Sequence, residues 1–229
     1  MTDPSKIEGT GRRVGLDHDR IIERALQLVE SGGPEGLTMR KLAAELGVST
    51  TTIYWHAGSR DEIITAVIKR MSERQALAPI VGTHPRDRVM SAAEHVWQSA
   101  LTHREVTSLA HQSGSTSLLE LDLEVVLARE LDAAGLHGDH ARDALRAILI
   151  TVGGFLVLAL RDDAVIADER TSHALWAEVS DPDIDPATIA ALTMPVDLPA
   201  LFRRTVRAVV DHYVPADNTP PSDTKESRP

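Results

Sequence analysis

Seven consecutive residues, 50–56, carry hydroxyl, aromatic and imidazole groups. They read Thr-Thr-Thr-Ile-Tyr-Trp-His and follow Gly47-Val48-Ser49. In a helix starting after Ser49, Val48 and Ile53 face inward and the polar and aromatic groups face outward. Such a face fits the DNA major groove, where hydroxyls and imidazole reach base edges or phosphates. The alternative is a compact three-helix bundle with a polar surface, but two adjacent aromatic residues on a short helix cannot both be buried on one side.

Three histidines are candidate metal ligands. His95, His103 and His111 recur every eight residues, which is about 2.2 helical turns and too far apart for one metal on one helix. The chain has no cysteine, which excludes disulfides, thiolate metal sites and cysteine nucleophiles. We therefore predict no metal and no cofactor.

An acidic pair, Asp162-Asp163, is the best candidate for acid–base catalysis. The sequence has no glycine-rich phosphate loop, nucleophile elbow or His-Glu-x-x-His pattern. Because clustered acids in a loop are usually solvated, we predict that the chain is not an enzyme.

Helical periodicity dominates the chain, and no convincing strand pattern is present. Near the N-terminus, Gly32-Gly33-Pro34 ends the first helix, Thr38 and Ser49 are N-caps, and Ser59 with Glu62 forms a capping box. Gly47 allows the sharp turn between the second and third helices. The predicted helices span 17–31, 39–46, 50–55, 60–77, 86–104, 107–111, 118–134, 139–160 and 199–214.

These elements predict an all-α fold with two parts. Residues 17–77 form a three-helix, helix-turn-helix domain with a connecting helix, and residues 78–214 form a larger helical bundle that includes a long acidic connection at 162–198. Residues 1–16 are expected to be a flexible arm and residues 215–229 a disordered tail.

The charge is distributed unevenly. The net charge is −10, yet residues 1–75 carry eleven basic and eleven acidic residues, so the whole excess lies beyond them. This permits DNA binding without demonstrating it. Arg12 and Arg13 could reach phosphates or the minor groove, or form only a solvated tail. No signal peptide and no membrane-spanning segment is recognised, which predicts a cytoplasmic protein without a membrane partner.

Residues 17–71 resemble the DNA-binding domain of the tetracycline-repressor (TetR) family. The resemblance is carried by the run from Gly36 to Ala43, by Leu46-Gly47-Val48-Ser49, by Ile53-Tyr54-Trp55-His56 and by the helix restart at Arg60. It implies base or phosphate contacts in the second helix and at the reading end of the third, with Trp55 at the groove rim. The implied contact residues are Thr38, Arg40, Thr50, Thr51, Tyr54, Trp55, His56 and Arg60.

The family likeness also implies a homodimer that reads a near-palindromic operator. Residues 145–160 are apolar nearly all round, Gly153-Gly154 permits close approach, and the last helix is amphipathic, which resembles the family's four-helix dimer interface. The alternative is that both helices are buried within one chain. The predicted interface residues are Leu149, Val152, Phe155, Leu156, Phe202, Val206 and Val209.

A small-molecule effector pocket is the family's further implication. The candidates are Trp97, His111, Gln112 and Phe155, each of which could instead be a core or solvated residue. We predict a repressor that the effector releases from DNA, with helix 60–77 as the lever between pocket and DNA. The alternatives are a regulator without an effector, whose C-terminal core is solid, and a helix-turn-helix adaptor that contacts only proteins.

Overall fold

The computed structural model describes residues 17–160 and 171–215, and every regular element in these ranges is a helix. The all-α prediction is confirmed. The helices are α1 (His18–Gly36), α2 (Met39–Leu46), α3 (Thr50–Ala57), α4 (Arg60–Gln75), α5 (Pro85–Thr102), α6 (Arg104–Gln112), α7 (Thr116–Ala133), α8 (Gly138–Ala159), α9 (171–177), α10 (Pro186–Leu192) and α11 (Leu198–Tyr213).

Side-chain caps fix the starts of the N-terminal helices. The Thr38 hydroxyl accepts a hydrogen bond from the Lys41 amide at 3.1 Å, and the Ser49 hydroxyl accepts one from the Thr52 amide at 3.1 Å. Ser59 and Glu62 form the reciprocal capping box at the start of α4. These bonds satisfy amides that the first helical turn leaves unpaired, so the predicted caps are confirmed.

Two glycines shape the N-terminal domain. Gly47 has φ 69° and ψ 31°, the left-handed conformation that turns the chain from α2 into α3. Gly33 has φ 66° and ψ −174° and interrupts α1, after which the chain continues helically to Gly36. The expected end of the first helix is therefore an internal kink.

The first hydrophobic core does not stop at the predicted domain boundary. Its buried side chains come from α1 to α4 and also from Val106, Leu109 and Ala110 of α6 and Leu119 of α7. Helix α6 therefore completes the core beneath the helix-turn-helix, although the sequence assigns it to the C-terminal part.

A second core joins α5, α7, α8 and α11. At its centre the rings of Trp97 and Phe202 stack with centroids 4.5 Å apart, and Phe155 meets both edge-on at 6.3 and 5.5 Å. These arrangements are favoured by the ring quadrupoles.

Two predicted segments differ from the structure. The helix predicted over 107–111 starts three residues earlier, at Arg104. The segment 162–198, predicted as a connection, contains α9 and α10. Helix α10 forms because Asp185 caps it and Pro186 occupies its first turn.

Some sequence predictions fall on residues that the structure does not describe. Arg12, Arg13, Asp162, Asp163, the arm 1–16 and nearly all of the tail 215–229 lie outside the described ranges. Within those ranges, no helix has the length and apolar character needed to cross a bilayer.

Candidate nucleic-acid interface and cavity

Helix α3 presents one buried face and one exposed face. Ile53 is fully buried and Ala57 nearly so, which fixes α3 on the first core. On the opposite side Tyr54 is 53% and Trp55 87% exposed. The remaining predicted contacts on α3, which are also exposed, are Thr50, Thr51 and His56. The helix therefore projects hydroxyl, aromatic and imidazole groups from a rigid base, as the sequence predicts.

The start of α2 adds an exposed cation, Arg40, to the same domain. Arg40 is exposed and has no hydrogen-bond or ion-pair partner within residues 17–160 and 171–215. Thr38 is exposed, although its hydroxyl already accepts the capping bond. Arg40 is thus available for a phosphate or base, and Thr38 also has a structural role.

Several neighbouring cations are engaged within the domain. Arg24 pairs with Glu45, whose pKa is lowered by that hydrogen bond and charge, and Arg74 pairs with Glu23. Arg70 lies 2.7 Å from Asp19. Because these guanidinium groups already have acidic partners, they are less available to a polyanion than Arg40 is.

Arg60 is held against the turn that precedes α2. Its Nε donates to the Leu37 carbonyl oxygen at 3.2 Å, and Leu37 is buried. This bond ties the start of α4 to the start of α2. Arg60 therefore helps to position the helix-turn-helix. This role does not depend on what the terminal nitrogens of its guanidinium group contact.

A cavity of about 560 Å³ lies between α6, α7 and α8. Its α6 wall comes from positions 104, 107, 108 and 111, which share one helix face, together with Glu105. Its α8 wall is mostly apolar. The lining residues are Arg104, Glu105, Thr107, Ser108, His111, Thr116, Glu120, Gly153, Leu156, Val157 and Leu160.

Of the four predicted pocket residues, only His111 lies on this wall. Trp97 is 2% exposed and, with Phe155, belongs to the aromatic cluster of the second core. Gln112 is exposed and donates from Nε2 to the Ser108 hydroxyl at 3.2 Å.

Glu120 and the α6 face of the cavity were not predicted from the sequence. The i, i+3, i+4, i+7 spacing of Arg104, Thr107, Ser108 and His111 is the signal that could have found that face. No spacing pattern in the sequence identifies Glu120, because its place in the cavity depends on how α7 packs against the neighbouring helices.

Glu120 is the acid with the most unusual setting in the cavity. It has no hydrogen-bond or ion-pair partner in the described part of the chain. Burial raises its pKa, and the neighbouring charge of Glu124 raises that pKa further.

The predicted dimer residues separate into two groups. Val152, Phe202 and Val206 are almost completely buried inside the protomer, so their side chains have no surface left for a partner. They pack in the second core of the protomer, so the structure gives them a role within one chain. Leu149, Phe155, Leu156 and Val209 are half-buried beside the same core.

An exposed apolar stripe runs along α8 next to these residues. Ile150 and Val157 are each 73% exposed and Leu158 is 37% exposed. Gly154 lies between them at i+4 from Ile150, and a Cβ added at this glycine would meet no atom within 4 Å. The stripe is thus an apolar surface that the described residues leave exposed.

The sequence of the N-terminal domain matches a known family. Residues 21–67 match the family described as bacterial regulatory proteins, tetR family. The tetracycline repressor protein class D of Escherichia coli is 30% identical over 92 residues, 40% of this chain. The chain spans only 38% of the length of that relative.

The fold of the whole described chain agrees with this match. The transcriptional regulator SCO7222, a TetR protein of Streptomyces coelicolor, aligns with a TM-score of 0.68 at 23% identity, covering 87% of this chain and 98% of that one. ActR of the same organism, in complex with actinorhodin, aligns with a TM-score of 0.68 at 18% identity over 87% and 96% of the two chains. At these identities the likeness is one of fold. Residues 21–67 therefore resemble the TetR family of bacterial regulatory proteins, and the described chain shares the fold of SCO7222 and ActR.

Proposed function

We propose that the chain is a dimeric, sequence-specific DNA-binding regulator, a repressor that a small-molecule effector releases from its operator. One observation carries the DNA-binding step: the exposed hydroxyl and aromatic face of α3, set on a buried scaffold and preceded by the exposed Arg40 of α2. An α-helix fits the major groove, and an unpaired guanidinium suits phosphate or guanine. The E. coli relative is named a repressor, which supports the direction of control.

Dimerisation supplies the second copy of α3. Two recognition helices must lie about 34 Å apart to read successive major grooves of one duplex face. The α8 stripe of Ile150, Gly154, Val157 and Leu158 supports an isologous interface, because an exposed apolar surface rimmed by polar residues is stabilised by a partner. The half-buried Leu149 and Val209 form its flanks in this proposal, while Leu156 faces the cavity and Val157, which is 73% exposed, belongs to both surfaces.

The cavity supports control by a small molecule. Its volume falls within the range of sites that hold drug-sized ligands. A protein of the same fold, ActR, binds actinorhodin. An effector-independent regulator with a solid C-terminal core is less well supported, because the core beside α6 is open.

Helix α6 is the element that can couple the cavity to the DNA-binding surface. One face lines the cavity, while Val106, Leu109 and Ala110 on the other side are buried in the core beneath α1 to α4. His103 Nδ1 lies 3.2 Å from Glu30 Oε1 of α1. Helix 60–77 was the lever predicted from the sequence, but α4 contributes no residue to the described cavity wall. We therefore place the lever at α6.

The DNA-binding proposal is tested with the double variant Thr51→Ala/Tyr54→Ala. Operator affinity, measured by fluorescence anisotropy on a duplex that the wild type selects, should fall by at least tenfold while the melting temperature stays unchanged. Thr65→Ala, an exposed threonine on α4, is the matched control and should bind as the wild type does. Unchanged affinity of the double variant would refute the assigned face.

The cavity proposal is tested with the neutral fluorescent probe N-phenyl-1-naphthylamine. Gly153 lines the cavity and has open space at its Cβ position, so Gly153→Trp should fill it. We expect the wild type to enhance the probe's fluorescence, and Gly153→Trp to lose this enhancement while it keeps its operator affinity. Equal probe binding by both proteins would contradict the cavity as the ligand site.

A further inference from the structure

We propose that the cavity takes an amphipathic molecule that carries a protonated amine, with the Glu120 carboxylate as the acceptor for that amine. This inference rests on the proposed ligand-binding role of the cavity and specifies the chemistry of its ligand. It starts from the one carboxylate on the wall of α7, which no described side chain satisfies.

Glu120 is half-buried, and its position makes a bound cation favourable. A carboxylate removed from water without a partner is costly, as the raised pKa of Glu120 reflects. A ligand ammonium group would restore both the charge partner and the hydrogen bonds that the site lacks. Charge-assisted hydrogen bonds of this kind are stronger than neutral ones.

The charged residues around Glu120 do not provide it with a cationic partner, so we assign that role to the ligand. Glu124, one turn further along α7, is acidic and is itself 3.5 Å from Arg146. Arg104 on the opposite wall has Glu105 as its neighbour, with Nε and Oε1 3.8 Å apart. The wall carries two glutamates against one arginine and one histidine, so it has no excess of positive charge that would favour an anion.

The remainder of the wall determines the shape of the ligand. Leu156, Val157 and Leu160 provide an apolar surface on α8, and Gly153 leaves it flat. The Thr107 hydroxyl already donates to backbone carbonyls. A ligand therefore places an aromatic or aliphatic body against α8 and its amine against α7.

Three fluorescent probes of one shape test this assignment: 1-pyrenemethylamine, 1-pyrenemethanol and 1-pyrenecarboxylate. Their dissociation constants are measured by fluorescence titration of the full chain at neutral pH. We expect the amine to bind at least tenfold more tightly than the alcohol, and the carboxylate to bind most weakly. Glu120→Gln should abolish the preference for the amine and leave alcohol binding within about twofold. Glu124→Gln, the matched control on the same helix, should retain the preference.

Three results would overturn the proposal. They are a carboxylate that binds as tightly as the amine, an amine preference that survives in Glu120→Gln, and no detectable binding of any of the three probes. The operator affinity of each variant without probe separates these outcomes from the proposed function. If the variants bind the operator as tightly as the wild type does, only the ligand assignment fails. If the wild type itself binds no operator, the proposed regulatory role fails.

Discussion

At the scale of single residues, neighbouring positions on α3 have opposite roles. Ile53 is fully buried, whereas Tyr54 and Trp55 are exposed. Exposed aromatic side chains contribute most to binding when they bury area against a partner. The sequence could predict this division because one helical turn cannot bury three large residues on one side.

Trp55→Ala tests the exposed aromatic residue against a buried one. We expect it to weaken operator binding by about 1 kcal/mol or more, as for other side chains that contact DNA, with no loss of stability. Trp97→Ala is the contrasting variant, because Trp97 is 2% exposed. It should lower the free energy of unfolding by about 3–5 kcal/mol. Urea denaturation and anisotropy measure both effects, and a destabilised Trp55→Ala would contradict the assignment.

The capping box at α4 gives a prediction that depends on pH. Hydrogen bonds from the backbone and side chain of Ser59 hold the pKa of Glu62 below its ordinary value. The ionised form of Glu62 is therefore favoured in the folded state. Its contribution to the stability of the fold is complete above the unfolded-state pKa and is lost as pH falls through the folded-state pKa.

Ser59→Ala should lower stability by about 1 kcal/mol at neutral pH, the usual cost of losing such a cap. Part of the difference from the wild type should disappear in acid, as Glu62 becomes protonated. Urea titrations near neutral pH and in acid, below the folded-state pKa of Glu62, measure this. Ser31→Ala, whose hydroxyl donates to a carbonyl within α1, is the control and should show no such pH dependence. A pH-independent effect of Ser59→Ala would exclude the role given to Glu62.

At the scale of elements, the starts of helices could be predicted from the sequence, whereas the contacts between helices could not. Thr38, Ser49 and Ser59 mark helix starts through bonds to amides three positions away. The cavity joins α6, α7 and α8, and no local pattern reports which of their faces meet. For the same reason α6 was assigned to the C-terminal part, although Val106 and Leu109 are buried with the N-terminal core.

Gly33 and Gly47 form a pair that tests the contact between α1 and α6. A Cβ on Gly33 would lie 2.9 Å from Glu105 Oε2 in a backbone conformation reserved for glycine, whereas a Cβ on Gly47 meets no atom within 4 Å. Gly47→Ala should cost about 1–2 kcal/mol, the penalty of the left-handed conformation alone. Gly33→Ala should cost more by urea denaturation, and adding Glu105→Ala should recover only part of the loss. A cost of Gly33→Ala that Glu105→Ala leaves unchanged would contradict the contact between Gly33 and Glu105.

At the scale of the whole molecule, the proposed function requires two protomers. The helices α8 and α11 could be selected from the sequence, but the face that covers their own core could not be separated from the face that remains exposed. Both faces are apolar, and only the packing of Val152, Phe202 and Val206 inside one protomer distinguishes them.

Ile150→Glu tests the proposed interface without altering the cavity wall. A charge on the exposed stripe of α8 must be desolvated in the dimer, so we expect a folded monomer and much weaker operator binding. Light scattering coupled to gel filtration measures the mass. Leu121→Glu replaces another exposed aliphatic residue, 53% accessible on α7, and should remain dimeric. A dimeric Ile150→Glu variant would place the interface elsewhere.

Selection of bound duplexes from a random DNA pool is the decisive experiment, because paired α3 helices are proposed to read sequence. We predict enrichment of a near-palindrome whose half-sites lie about one helical turn apart, and loss of that enrichment for the Thr51→Ala/Tyr54→Ala variant. A pool that stays random after repeated rounds, or an enriched sequence that the double variant selects equally well, would contradict sequence reading by α3.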